Sequence, residues 1–280
     1  TYPVMIKKYC RRIALAILLF GVPYAASELV VAERTFRIRM IPEALKMTLM
    51  GHTWSHMWYL YLILFLYLIT PLLKKVLQIL PVWSVVAVMT VIFLGSSVAP
   101  FLNKVLDVNS IPVLPDGGVY FLYYLCGYFF AVREVCVDKG RNVWLTAAVA
   151  VLALGMILSR TLAGFSIQMA YNYPFTVLLA VLLFAAGWNG SIKKHRIPWQ
   201  EAGALSFAVY LVHPVYVNLL YKFVKITPFT VLEQCGVQSV AAGQAVLILL
   251  LAAFCLVVLA LATATAWVLR KIPVLRKYVL

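Results

Sequence analysis

The stretch SFAVYLVHPVYVNLL, residues 206–220, decides how this 280-residue chain is read. It is apolar almost throughout, yet it carries a histidine and a proline in its middle. Pro214 has no N–H to give, so it leaves the carbonyl of Tyr210 without its usual helical partner. Ser206, Tyr210 and His213 fall on one helical face by i, i+4, i+7 spacing. A run this apolar, with an imidazole near its centre, describes a helix in lipid whose ionisable group needs a wet cavity or a partner.

The rest of the chain has the same character. Hydrophobic residues make up 64% of the sequence and charged residues only 12%, which excludes an ordinary water-soluble globule. Because every backbone polar group must be satisfied internally in hydrocarbon, the spanning unit is a helix of ~20 apolar residues. Eight stretches qualify: 12–31, 57–73, 79–100, 118–132, 143–159, 173–189, 204–221 and 243–269. The expected fold is therefore all-α, a polytopic transmembrane helix bundle forming a single membrane-embedded domain over residues 1–280.

The charge of +15, from 24 Lys+Arg against 9 Asp+Glu, raises the alternative of a nucleic-acid binder. Its distribution excludes that alternative. A binding groove gathers its cations on one element with aromatics interleaved, whereas these alternate across the eight segments. One side holds sixteen: Lys7, Lys8, Arg11 and Arg12, then Lys74 and Lys75, then Arg133, Lys139 and Arg141, then Lys193, Lys194 and Arg196, then Arg270, Lys271, Arg276 and Lys277. The other holds Arg34, Arg37, Arg39, Lys46, Lys104, Arg160, Lys222 and Lys225. The positive-inside rule then places both ends in the cytoplasm. Residues 32–54 depart from the rule with four cations, and are expected to form an amphipathic stretch on the outer surface or part of a site for an anionic substrate.

Of the five cysteines, Cys10 and Cys136 fall inside, Cys126 and Cys255 within helices, and Cys235 outside, so no disulfide framework is expected. The chain opens at Thr1 in a basic stretch, with no charged n-region followed by an apolar core, and is expected to lack an N-terminal part.

Few residues are equipped for chemistry in such a chain. His213 is the first candidate, since a neutral imidazole accepts a proton from an attacking hydroxyl; the alternative is a structural histidine bonded to a neighbouring helix. His56, at the mouth of the second segment, is the other. Trp58, Tyr59 and Tyr61 beside it are also what an aromatic belt supplies. His52 lies four residues before His56, but Gly51 argues against a continuous helix and Glu43 is the only nearby carboxylate, so no metal site is expected. Lys8, Arg11 and Arg12 suit phosphate binding as well as anchoring. Glu28, at the outer part of the first segment, could orient a histidine or pair with an outer-loop arginine.

The chain resembles the acyltransferase-3 family of bacterial integral-membrane O-acyltransferases. The residues that carry the resemblance are IKKYCRRI before the first helix, HMWYLYLILFLYLITPLL, FLYYLCGYFFA, SFAVYLVHP and LRKIPVLRK, in that order. The resemblance implies transfer of an acyl group, acetyl foremost, from cytoplasmic acetyl-CoA or another acyl-CoA to a hydroxyl of a cell-surface polysaccharide or glycolipid. It implies no bound cofactor, and a place in the bacterial inner membrane. His213 and His56 would line the site with Tyr210 and Trp58, and Lys8, Arg11 and Arg12 would hold the donor. Tyr9 stands where the family's cytoplasmic Arg-x-x-Arg motif would have its first arginine if Arg12 is the second; Lys8 lies three residues before Arg11. Family members have ten spanning helices, so two would precede this chain, and the family's N-terminal catalytic histidine has no counterpart here. A second reading of the same features is a transporter or flippase of a small solute or lipid-linked glycan, for which a proline-broken helix with a central polar residue is the usual pointer. Against it, the sequence has no internal inverted repeat.

Overall fold

The computed structural model describes residues 2–115, 117–132, 141–161, 171–188, 199–235 and 240–279. Arg133, Cys136, Lys139, Lys193, Lys194 and Arg196 of the expected inner-side pattern lie outside them. All regular elements among the described residues are helices. Five are long and apolar enough to cross a membrane, at Tyr2–Glu33, Ser55–Ile79, Val82–Leu106, Leu205–Gln234 and Gly243–Leu269, and three shorter apolar helices lie at Gly117–Ala131, Asn142–Gly155 and Pro174–Trp188. The protein is a multi-pass membrane helix bundle, and each of the eight expected segments corresponds to one of these helices. The short ones are among those whose apolar runs are shortest in sequence.

The chain divides into two compact units, one of residues 1–74 with 196–280 and one of residues 75–195. The first begins with α1, Tyr2–Glu33, which is α-helical except for one π-helical stretch at Met5–Cys10. It ends where Arg34 turns left-handed at φ 54°, and Arg37 and Arg39 then approach the Glu33 carboxylate at 3.8 and 4.0 Å. The next helix, α2 (Met40–Leu49), runs back along α1 with Met40, Ala44 and Thr48 buried at i, i+4, i+8. Gly21 makes this approach possible, since a Cβ there would sit 2.7 Å from the Thr48 methyl.

Residues 32–54 thus contain an amphipathic helix with one face buried on α1 and most of its other residues exposed. Their helix descends along α1 to the level of Gly21 and stops at Gly51, whose φ of 77° no β-carbon residue adopts easily. From there α3 (Ser55–Ile79) starts with a single 3₁₀ turn at Ser55–Met57.

The remaining long helices of this unit are α8, Trp199–Asn218, extended by a π-helical stretch at Leu219–Val224, and α10, Val240–Leu269. Between them lies the short α9, Pro228–Gln234, capped reciprocally by Thr227 and Thr230. Small residues let α8 and α10 come close, with Ala208, Ala262 and Ala266 fully buried. Tyr216 and Thr265 are hydrogen-bonded across the same contact. The core joins Ile13, Ile17 and Tyr24 of α1, Met57 and Leu60 of α3, Leu211 of α8 and Val279 after the last helix, α11 (Pro273–Tyr278).

The second unit contains α4 (Val82–Leu106), α5 (Gly117–Val132), α6 (Arg141–Thr161) and α7 (Pro174–Trp188). Its core is built on Val119, Leu122 and Val177. Gly118 lies against the Ser96 hydroxyl, within the π-helical stretch Leu94–Val98 of α4. Two loop carbonyls are held by side chains, Asn172 by Ser97 at 2.7 Å and Tyr171 by Tyr123 at 2.9 Å.

Candidate functional site

Two sites in the first unit gather most of the candidate residues. At the first, Pro214 sits within α8 and supplies no N–H to the Tyr210 carbonyl. The vacant acceptor is taken by the side chain next to that proline: Nδ1 of His213 lies 2.8 Å from the Tyr210 oxygen and 3.3 Å from that of Val209. A carbonyl oxygen only accepts, so Nδ1 carries the proton. In the neutral ring Nε2 then holds the lone pair.

His56 arrives from the other side on the first turn of α3. Its ring centroid is 5.8 Å from that of His213, edge to face, and 5.6 Å from Tyr210. The Tyr210 hydroxyl donates to the His56 carbonyl, tying α8 to the start of α3. The Nε2 of His56 is buried and has no hydrogen-bond partner among the described residues. Leaving such a group unpaired costs ~1–3 kcal/mol, which points to a ligand or water as its partner.

Two aromatic residues that sequence reasoning did not single out complete the wall. Tyr24 and Trp54 stack face to face with centroids 4.2 Å apart, and lie 5.7 and 6.2 Å from the His56 ring. The Tyr24 hydroxyl donates to the Leu211 carbonyl at 2.6 Å. One signal was visible in each case. Tyr24 is a hydroxyl deep in an apolar run, which needs a partner there, and Trp54 stands between two histidines in HTWSH.

Depth strengthens the case. Tyr24 lies about three turns before the C-terminal end of α1, within its apolar run, and α2 brings the non-helical backbone around Gly51–Trp54 to the same end of that helix. Irregular backbone at membrane depth is tolerated where protein covers it or where it lines a water-filled cavity. Here Tyr24, Met57 and Leu60 of the core pack beside it, and two imidazoles, three phenols counting Tyr59, and an unpaired nitrogen gather around it. His52 does not share a helix with His56, because Gly51 ends α2 before it. The described residues form no cluster of His, Cys, Asp and Glu fit for a metal ion.

The second site is a pocket of about 530 Å³ where the two ends of the first unit meet. Lys7, Lys8, Arg11 and Arg12 of α1 line one wall, and Arg276 and Lys277 of α11 the other. Tyr9 and Tyr278 are also in the lining, and among the described residues no acidic side chain is. The π-helical turn at Met5–Cys10 lies directly before Arg11 and sets how Lys7 and Lys8 are presented; such turns gather at functional sites. Arg276 and Lys277 were read from sequence as anchoring charges and not as part of this cluster, because only the tertiary fold brings the two ends together.

Of the other candidates, Glu28 stands apart from both sites and Trp58 borders the first through Tyr59. Glu28 is exposed on α1 one turn beyond Tyr24, and the outer-loop arginines 37 and 39 face Glu33 instead. Trp58 is partly exposed and touches Tyr59 edge to face.

The two sites are separated along α1. From Arg12 to Tyr24 is twelve residues, about 18 Å at 1.5 Å per residue. A family model described as an acyltransferase domain, that of the acyltransferase-3 family, matches residues 1–268. A search of curated proteins and one of solved structures gave no match.

Proposed function

Because the chain belongs to the acyltransferase-3 family, we propose that it moves an acyl group, acetyl foremost, from acyl-CoA to a hydroxyl of a cell-surface sugar or glycolipid. The observation that carries this reading is the His213 imidazole with its lone pair fixed on Nε2 by the Tyr210 carbonyl. An acceptor hydroxyl gives its proton to that nitrogen as its oxygen attacks the thioester carbonyl. The new C–O bond replaces the C–S bond, and the imidazolium returns the proton to the departing thiolate. His56 lies against His213, with the Tyr210 ring beside both.

The separation of the sites supports a donor of particular shape. Phosphates held by Lys8, Arg11 and Arg12 would lie at the start of α1, where Arg12 is a rise of about 18 Å along the helix from Tyr24 beside His56, which calls for a long arm between the phosphates and the reacting carbonyl. Acyl-CoA has one; a short donor such as an acyl phosphate does not. In this reading the cationic pocket faces the cytoplasm of a bacterial inner membrane, and no bound cofactor takes part.

The test is the O-acetyl content of surface glycans in cells whose native protein carries His213→Ala. Unchanged acetylation at normal protein levels removes His213 from the mechanism. Radiolabelled acetyl-CoA given to inverted vesicles separates the enzyme from a carrier: label fixed in glycan supports transfer, and solute uptake without label transfer supports transport.

A further inference from the structure

We infer that the segment after α10 is the second half of the donor-phosphate site, with Arg276 and Lys277 gripping the same polyphosphate group as Lys8, Arg11 and Arg12. This rests on the donor reading above and adds a binding element to it.

The segment is built to hold a fixed place. Val279 is 1% exposed and belongs to the core with Ile13, Ala16 and Ile17. Its carbonyl accepts a hydrogen bond from Nε of Arg12 at 2.7 Å, and the Arg11 guanidinium lies over the Tyr278 ring at 5.1 Å. At the other end, Pro273 occupies the first turn of α11 with its φ already helical. Arg276 and Lys277 are held between these points, facing the cations of α1 across the pocket.

That arrangement opposes like charge with like charge. Six cations surround one cavity with no lining carboxylate among the described residues, so burying Val279 proceeds against Coulomb repulsion. A multiply charged anion reverses the sign of that interaction, and a single monovalent headgroup would neutralise only a small part of it. The match is a ligand with several phosphates close together, and the 3′-phosphate and diphosphate of coenzyme A supply three. Arginine adds bidentate geometry to the charge. Since the walls come from opposite ends of the unit, a bound polyphosphate also ties α11 to α1.

The experiment measures binding of free coenzyme A, by calorimetry, to the protein in phosphatidylcholine nanodiscs. The Arg276→Gln/Lys277→Gln variant is expected to bind at least about tenfold more weakly, while Arg276→Lys/Lys277→Arg, which keeps the charge, stays close to wild type. In the acyl-transfer assay the Gln pair raises the donor KM and leaves kcat unchanged, because these side chains line the cationic pocket and not the histidine site. His213→Asn, by contrast, binds coenzyme A normally and loses kcat. Equal affinity in wild type and the Gln pair overturns the inference and leaves the donor reading standing. Should the Gln pair fold poorly, the single variant Lys277→Gln is read in the same way. If wild type binds no coenzyme A, but nanodiscs containing phosphatidylglycerol stabilise it in a manner the Gln pair abolishes, the pocket is a lipid-headgroup site; both readings then fall.

Discussion

His213 donates its Nδ1 proton to the carbonyl of Tyr210 across 2.8 Å, the carbonyl that Pro214 cannot fill. The proline thus acts on the ring of the residue before it. Pro214→Ala restores a competing N–H. One hydrogen bond is worth about 0.5–1.5 kcal/mol, so the bias toward the lone pair on Nε2 falls by roughly fivefold, and the transfer rate falls with it. Thermal stability is unchanged or higher, since an interior proline costs a helix ~3 kcal/mol. Nitrogen-15 spectra of histidine-labelled protein report which ring nitrogen holds the proton; an unaltered tautomer in the variant contradicts the assignment.

Asparagine at position 213 puts an amide nitrogen close to where Nδ1 stood and offers nothing in place of Nε2. His213→Asn is expected to keep its bond to Tyr210 and its melting temperature. Transfer drops by ~10²–10⁴, the range lost with a general base. Initial rates with radiolabelled donor decide it, and a loss below about threefold would rule out proton transfer at this ring.

Gly21 allows α2 to run against α1, with the Thr48 methyl 2.7 Å from where a Cβ would be. Gly21→Val is expected to cost about 1–3 kcal/mol through overpacking and to shift the Trp54–His56 turn that hangs from α2. Melting temperature and transfer rate both decline, while coenzyme A binding at the far end of α1 is retained. Weakened coenzyme A binding in a folded Gly21→Val protein would show that the two sites are not independent.

Salt provides a test without mutation. The lining cations other than Arg12 are exposed, and the Debye length falls from ~10 Å at 0.1 M to ~3 Å at 1 M. The donor KM should rise steadily over that range with kcat constant. A flat KM would mean that charge does not hold the donor.

Much of this was legible in the sequence, though unevenly. The eight helices follow from length and apolarity, which are local properties. The orphaned Tyr210 carbonyl follows from Pro214 alone, but nothing local says which donor takes it. His56 and His213 each stood out as a polar group in an apolar run; their edge-to-face contact depends on α2 folding back along α1, which Gly21 permits and no periodicity announces. Glu28 attracted attention for its depth, yet it is on an exposed face, and the arginines meet Glu33 because the turn at Arg34 brings them there. Arg276 and Lys277 read as anchors because their partners are the better part of the chain away, and the partnership depends on burying Val279.

The stack of Trp54 on Tyr24 gives the histidine site its own optical reporter. Its indole lies 6.2 Å from the His56 imidazole, within reach of the quenching that a protonated ring exerts. The chain has seven tryptophans, and Trp58, Trp83, Trp144, Trp188, Trp199 and Trp267 are the other six. With those six replaced by phenylalanine, the emission of Trp54 alone becomes a direct signal of acceptor arrival and of proton movement at His56, readable in real time without any label.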